Sequence, residues 1–163
     1  MSTRELLCLP GQLVTAVIDG ALLPDLPQKL FIASPAIAQC LLGENQEPAV
    51  LRMAPWFTAF APDSTFAVWL SARMGESPCG MASVTGDLAA QPGLYAALMP
   101  LVLIADEDSQ PQLLRWWDAR ARSQLQDAGG AELFTDVDAL LPGALYAEPP
   151  LPLTFRNAEP GTD

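Results

Sequence analysis

The sequence predicts an α/β fold of the mixed α+β kind: a single domain with a mixed sheet that includes a hairpin, flanked by helices. Two observations support this prediction. Runs of β-branched and apolar residues alternate with segments whose apolar residues recur at helical spacing, and one pair of runs is joined by an acidic turn. The length of 163 residues fits one domain, predicted over residues 1–147, and residues 148–163 are predicted to form a proline-rich tail that is extended or mobile.

The first strand is predicted at residues 13–19, LVTAVID, because this β-branched run ends at an Asp-Gly-Ala turn. In residues 21–34 two prolines restrict any helix to a short piece that begins near one of them. Residues 36–50 predict one or two helical turns that stop at Gly43, followed by a polar loop.

The middle of the chain contains a strand, a helix and a second strand. A strand is predicted at residues 56–60, which are rich in aromatic and small apolar residues, with Pro55 tolerated at its start. Asp63 or Ser64 can cap the helix that follows. The apolar face of that helix repeats at helical spacing and consists of Phe66, Trp69, Leu70 and Met74. Residues 79–84 predict a short strand.

A helix and a hairpin are predicted next. Residues 85–99 have a helical pattern interrupted by Pro92-Gly93, so most of this helix should follow the proline. The hairpin consists of an apolar strand at 101–105, an acidic turn at 106–108 and a return strand at 112–117.

Two helices are predicted after the hairpin. Asp118 is expected to cap the first, which stops at Gly129-Gly130. The second covers residues 131–141 and ends before Pro142-Gly143.

The charge balance argues against nucleic acid and membrane partners. The chain has 19 acidic and 8 basic residues and a net charge of −11, which opposes phosphate backbones and anionic lipid surfaces. No stretch reaches the roughly 18 consecutive apolar residues that span a bilayer. The N-terminal segment lacks the apolar run and cleavage site of a secretory signal. We therefore expect a soluble, cytoplasmic protein with no membrane insertion.

The residue types needed for common catalytic and metal sites are missing or badly placed. The sequence has no histidine, and its three cysteines are too widely spaced to suggest a zinc clip or a disulfide framework. The acidic run at 106–108 lacks the spacing of a calcium loop, and no phosphate-binding glycine motif or serine nucleophile elbow is present. We expect no catalytic residues, no cofactor and no bound metal.

The stretch LLRWWDAR, residues 113–120, combines arginines, tryptophans and an aspartate. Strand alternation predicts Arg115 and Trp117 on one face and Trp116 on the other. An arginine between covered faces needs a carboxylate partner, and the candidates are Asp19 and Asp118. Two interpretations remain open: these residues stabilise the fold, or they bind a partner, since arginine and tryptophan are enriched in interface hot spots.

Four short motifs resemble a known family in their order along residues 13 to about 141. They are VIDGA at 17–21, APWF at 54–57, VWL at 68–70 and RWWDAR at 115–120. In this order they are similar to the type VI secretion effector adaptors, also called effector chaperones of the Tap or Tec kind. Ala119 stands where that family usually has proline, a change that the first position of a helix tolerates.

The resemblance carries expectations about both site and function. The motif residues that it singles out are Asp19, Gly20, Pro55, Trp56, Trp69, Arg115, Trp116, Trp117, Asp118 and Arg120. It implies a bacterial, cytoplasmic, non-enzymatic protein that binds a cognate secreted effector and helps to load it onto the VgrG spike. The alternatives are an immunity-type protein that binds a toxin directly and a small hydrolase that uses carboxylates.

Overall fold

The computed structural model describes residues 3–158. Its strands in chain order are β1 (Arg4–Cys8), β2 (Leu13–Asp19), β3 (Ile37–Cys40), β4 (Pro55–Phe60), β5 (Gly80–Gly86), β6 (Leu103–Ala105), β7 (Pro111–Leu113), β8 (Leu145–Tyr146) and β9 (Leu153–Asn157). Its α-helices are α1 (Leu26–Ala33), α2 (Pro48–Met53), α3 (Thr65–Met74), α4 (Gln91–Leu98), α5 (Ala119–Asp127) and α6 (Ala131–Leu140). Within this range no helix combines the length and apolar character needed to cross a membrane.

The centre of the fold is a five-stranded antiparallel sheet with the order β3-β4-β2-β5-β8. Strand β2 lies in the middle and pairs with β4 from Val14↔Phe60 to Asp19↔Pro55. Because both faces of the sheet are covered, β2 is buried from Val14 onward. The predicted α/β class and the single domain are confirmed. The main sheet, however, is antiparallel instead of mixed, and the hairpin is not part of it.

Side chains of β2 alternate between two hydrophobic clusters. Val14, Ala16 and Ile18 belong to the cluster that includes residues of α3, β1 and β9. Val17 belongs to the second cluster, beside the two adjacent tryptophans and residues of α4 and α6. Since a strand has a period of two residues, Asp19 lies on the same face as Val17.

Strand β1 precedes the strand that was predicted to be first. It pairs in parallel with β9, from Arg4↔Leu153 to Cys8↔Asn157. Segment 148–163, predicted to be a tail, thus contributes a strand to the domain, and Leu153 and Phe155 are buried in the core. Prolines dominate the composition around these residues and obscured their apolar alternation. The end of the predicted tail, residues 159–163, lies outside the described range.

The helical turns predicted within residues 36–50 are wrong in their position. Residues Ile37–Cys40 form the edge strand β3, and the helix α2 begins only at Pro48. The sequence IAQC has weak strand propensity, so its conformation is set by pairing with β4 rather than by local preference. Gly43 adopts a φ of 101° in the turn between the two elements.

The predicted hairpin is present, and its return strand is shorter than expected. Strands β6 and β7 pair from Leu103↔Leu113 to Ala105↔Pro111 and form a separate two-stranded sheet. The return strand ends at Leu113 instead of residue 117. Residues 114–117 turn inward toward the second hydrophobic cluster.

The other predicted elements agree with the structure. Ser64 caps α3 by accepting a hydrogen bond from the Ala67 N–H at 3.2 Å. A proline at the first turn begins α4, as the interruption at Pro92 predicted. Helix α5 ends before Gly129, which has a φ of 95°, and α6 follows directly.

Candidate functional site

The carboxylate of Asp19 is the centre of a buried polar cluster at the end of β2. Its Oδ2 atom accepts hydrogen bonds from Arg115 Nη1 at 2.9 Å and from Trp117 Nε1 at 3.3 Å. Its Oδ1 atom accepts from the Ala21 N–H at 3.0 Å. The predicted carboxylate partner of Arg115 is therefore Asp19 rather than Asp118. The side chain of Asp19 is 1% exposed and that of Arg115 is 39% exposed.

Gly20 joins this cluster to the end of α2. Its N–H donates to the carbonyl of Ala54 at 3.0 Å. A Cβ atom at residue 20 would lie 2.7 Å from the oxygen of Ala54 and 2.8 Å from that of Arg52. Asp19 also pairs with Pro55 across the β2–β4 ladder. The motifs VIDGA and APWF are thus the two sides of one close backbone contact, which requires glycine.

Trp56 attaches α2 to the central sheet by a hydrogen bond. It lies in β4, and its Nε1 atom donates to the carbonyl of Leu51 in α2 at 3.0 Å. The indole is half-buried and packs against the first hydrophobic cluster. The position of α2 therefore depends on two motif residues, Gly20 and Trp56.

Trp116 and Trp117 are both fully buried, and the predicted placement on opposite faces of a strand is wrong. Their ring centroids lie 5.2 Å apart in an edge-to-face arrangement. The Nε1 atom of Trp116 donates to the carbonyl of Leu101 at 3.2 Å. Residues 114–117 do not continue β7, because the chain turns there, with the Asp118 N–H donating to the carbonyl of Arg115 at 3.0 Å. Both indoles therefore enter the same cluster.

Asp118 caps α5, as predicted, and pairs with Arg120. Its Oδ1 atom accepts from the Arg120 N–H at 2.9 Å, and its Oδ2 atom accepts from Arg120 Nη2 at 2.7 Å. Burial acts to raise the pKa of the Asp118 carboxyl, but the hydrogen bonds from Arg120 outweigh it and hold that pKa below its usual value. The guanidinium of Arg120 itself remains largely exposed.

Trp69 lies apart from the other motif residues. It is on α3, where the centroids of its ring and the Phe66 ring lie 5.6 Å apart. The Cζ atom of Arg73 lies 5.8 Å from the centroid of the Trp69 ring. It packs against the first hydrophobic cluster, whereas the indoles of Trp116 and Trp117 belong to the second. The structure thus brings the VIDGA, APWF and RWWDAR motifs together, whereas the VWL motif lies apart from them on α3.

An apolar groove, which was not predicted from the sequence, lies beside the Asp19 cluster. One wall is α2, with Val50 and Met53, and the other is the β6–β7 hairpin, with Leu103 and Leu113. Arg115 also lines it, and its volume is about 540 Å³. We call it the α2–hairpin groove. Because α2 was not predicted, the exposure of its apolar residues could not be predicted either.

The polar groups elsewhere in the core connect neighbouring elements. Arg122 on α5 donates to Asp138 on α6 at 2.8 Å and to the Tyr146 hydroxyl at 2.5 Å, and its guanidinium lies 4.5 Å from the ring centre of Phe134. Among residues 3–158, no group of three or more His, Cys, Asp or Glu side chains is placed to hold a metal ion.

The fold and the cluster define a class: a single-domain α/β protein in which a buried aspartate ties the end of a central strand to an arginine, a tryptophan and a neighbouring helix. Residues 15–132 match the family model described as "Domain of unknown function (DUF4123)". This match covers more than half of the chain and includes all four motifs, so the protein belongs to that family. No curated protein and no solved structure matches the chain.

Proposed function

We propose that this protein is a non-enzymatic adaptor that binds a cognate type VI secretion effector and helps to load it onto the VgrG spike. The proposal starts from the resemblance of the four motifs to the effector adaptors. All four lie within the residues that match the family model. An adaptor acts through its surface, so the proposal depends on which groups are exposed and which are buried.

The observation that carries the proposal is the contrast between buried polar groups and exposed apolar ones. Asp19 and Asp118 accept hydrogen bonds from groups within the fold, so these two carboxylates stabilise the folded structure. Large apolar side chains are exposed instead, among them Phe31 at 85%, Ile32 at 65% and Met53 at 60%. Single exposed apolar residues are common on protein surfaces, whereas several that lie close together are typical of protein-binding surfaces.

Three of these exposed side chains belong to neighbouring elements. Met53 lies on α2, and Phe31 and Ile32 lie on α1. A second cleft, lined by Leu30 of α1, Leu51 of α2 and Trp56, lies between the two helices. Helix α2 therefore has an apolar cleft on each side, which supports binding of a partner at this part of the surface.

The test is co-purification of three proteins. Tagged effector, encoded beside this protein, is expressed with VgrG in the presence and absence of the adaptor. We expect the effector to co-purify with the adaptor, and VgrG to join the complex only when the adaptor is present. An effector that binds VgrG equally well without this protein contradicts the proposal.

Two further assays, of effector toxicity and of hydrolysis, separate the two alternatives. An immunity-type protein would abolish the toxic activity of the effector in a purified binary mixture without recruiting VgrG. A carboxylate-dependent hydrolase would turn over a glycoside or ester substrate and lose that activity on replacement of an acidic residue. Either result would replace the adaptor assignment.

A further inference from the structure

The two walls of the α2–hairpin groove are held in position by different contacts. Strands β6 and β7 pair with each other and, within residues 3–158, with no other strand, so the hairpin stands away from the main sheet as a wall. Helix α2 is the opposite wall, held in place by Gly20 and Trp56. Contacts with Gly20 and Trp56 thus hold one wall of the groove in position, and the separate β6–β7 hairpin forms the other wall.

The groove side of the hairpin is apolar because of its register. Leu103 pairs with Leu113, and Ala105 pairs with Pro111, so these four side chains share one face. Leu103, Pro111 and Leu113 line the groove. Across the groove Met53 is 60% exposed, and Leu103 is 45% exposed. These are apolar surfaces that a bound segment can remove from water.

Arg115 is the charged side chain that lines the groove, and Gln46 is a second polar one. Its positive charge is balanced by the buried Asp19, which accepts a hydrogen bond from Nη1 at 2.9 Å. In the described part of the chain no other nitrogen of this guanidinium has a hydrogen-bond acceptor. A guanidinium has five N–H donors, so the unused ones can donate to carbonyl oxygens of a bound backbone.

The segments that border the groove are acidic. Glu44 and Glu47 lie in the loop that leads to α2, and Asp106, Glu107 and Asp108 form the tip of the hairpin. The basic residue on α2, Arg52, lines the cleft on the other side of that helix. With a net charge of −11, a second copy of this chain or an anionic lipid would be repelled. A partner segment with positive charges would be attracted.

We propose that the α2–hairpin groove is the surface that holds the effector, and that its occupant is a short apolar segment flanked by lysine or arginine residues. The apolar core of the segment contacts Met53, Leu103 and Leu113, its backbone carbonyls accept from Arg115, and its flanks face the acidic rims. This inference rests on the proposed function, because the segment is assigned to the effector.

The first test compares variants in the affinity for the cognate effector. Met53→Glu and, separately, Leu103→Glu place a charge in the groove. Val68→Glu is the control, because Val68 is a 69% exposed apolar residue on α3. We expect each groove variant to bind about tenfold more weakly or worse, and the control to bind like the wild type. Thermal unfolding of all three establishes that they are folded.

The outcomes distinguish the groove from the function. If the wild type binds no effector, the proposed function is wrong and the groove assignment falls with it. If the wild type binds and both groove variants bind equally well, the groove is wrong while the adaptor function stands. If the wild type sediments as a dimer that Met53→Glu converts to a monomer, a second copy occupies the groove and the proposed occupant is wrong.

The second test concerns the charge of the occupant. Two synthetic peptides share a leucine- and alanine-rich core and differ only in lysine or glutamate flanks. We expect the lysine peptide to bind and the glutamate peptide to bind at least about tenfold more weakly at low salt. Glu44→Lys with Glu107→Lys should reverse the preference. Asp63→Lys with Asp136→Lys, the same charge change at exposed positions elsewhere, should keep it. Equal binding of the two peptides contradicts the proposed occupant.

Discussion

Asp19 is the residue on which most motif contacts converge. It is buried, and Arg115 supplies the one positively charged donor to its carboxylate among the described residues. Breaking a pair of this kind leaves a charge in the core with fewer donors, although the Trp117 and Ala21 N–H groups remain. The cost should therefore be that of a hydrogen bond to a charged group rather than that of an isolated buried ion.

We expect Arg115→Ala to lower the free energy of unfolding by about 1.5–3 kcal/mol. The control is Arg156→Ala, which removes an ion pair with Glu5 whose arginine side chain is 67% exposed, and it should cost less than about 1 kcal/mol. Urea unfolding measures both. Equal losses for the two variants would mean that the Asp19–Arg115 pair stabilises the fold no more than an exposed ion pair does.

The ionisation of Asp118 should make the stability of the protein depend on pH. Its pKa is lowered in the folded protein because the hydrogen bonds from Arg120 outweigh burial, so its contribution to stability is complete above the ordinary carboxyl pKa. That contribution is lost as the pH falls through the lowered pKa. Asp118→Asn keeps a capping side chain and removes the charge. We expect it to be less stable than the wild type by about 1 kcal/mol at pH 7, with the difference narrowing below about pH 4. A constant difference from pH 7 to pH 2 would contradict this.

The three cysteines are buried thiols in the structure. Burial raises the pKa of Cys8 and Cys40, and desolvation raises that of Cys79 to about 12. Since the thiolate is the reactive form, we expect the native protein to react only slowly with a disulfide reagent at pH 8. In urea all three should react at once. Rapid reaction of one thiol in the native state would show that its surroundings open.

At the scale of elements, the position of α2 depends on a glycine in another element. Gly20→Ala would bring a Cβ within 2.8 Å of two carbonyl oxygens at the end of α2. We expect a loss of about 1–3 kcal/mol from overpacking. The control is Gly93→Ala in α4, where a Cβ meets no atom within 4 Å, and it should stabilise by up to about 1 kcal/mol. Equal effects on the thermal midpoint would mean that α2 moves without cost.

The elements that sequence reasoning predicted are those whose signals are local. Strand β2 is rich in β-branched residues, α3 has Ser64 and a regular apolar face, and α5 has Asp118 and a glycine stop. Strand β3 has no comparable signal and exists because β4 lies beside it. Strand β9 pairs with residues almost the whole chain length away, and no local pattern reports such a partner.

The site was predictable to a similar extent. An arginine between apolar residues requires a carboxylate, and this rule led to Asp19 as one of two candidates. The conformation of residues 114–117 was not predictable, because strand alternation assumes that β7 continues through Trp117. The groove was missed because it depends on the relative placement of α2 and the hairpin, which tertiary contacts decide.

At the scale of the whole molecule, the buried motif residues stabilise the fold, whereas Arg115 both pairs with Asp19 and lines the proposed surface. The cluster around Asp19 connects the central sheet, α2 and the segment after the hairpin. The groove is formed by two of the elements that this cluster and its neighbours position. Substitutions in the cluster should therefore weaken stability and binding together, whereas substitutions of exposed groove residues should weaken binding alone.

Secretion of the cognate effector by living cells tests the adaptor function most directly. A strain lacking this protein is compared with the same strain carrying the wild-type gene, and the culture supernatant is examined for the effector and for VgrG. If the protein is an adaptor, we expect the effector to disappear from the supernatant of the deletion strain, VgrG still to be released, and the wild-type gene to restore the effector. Normal effector secretion without this protein would contradict the account.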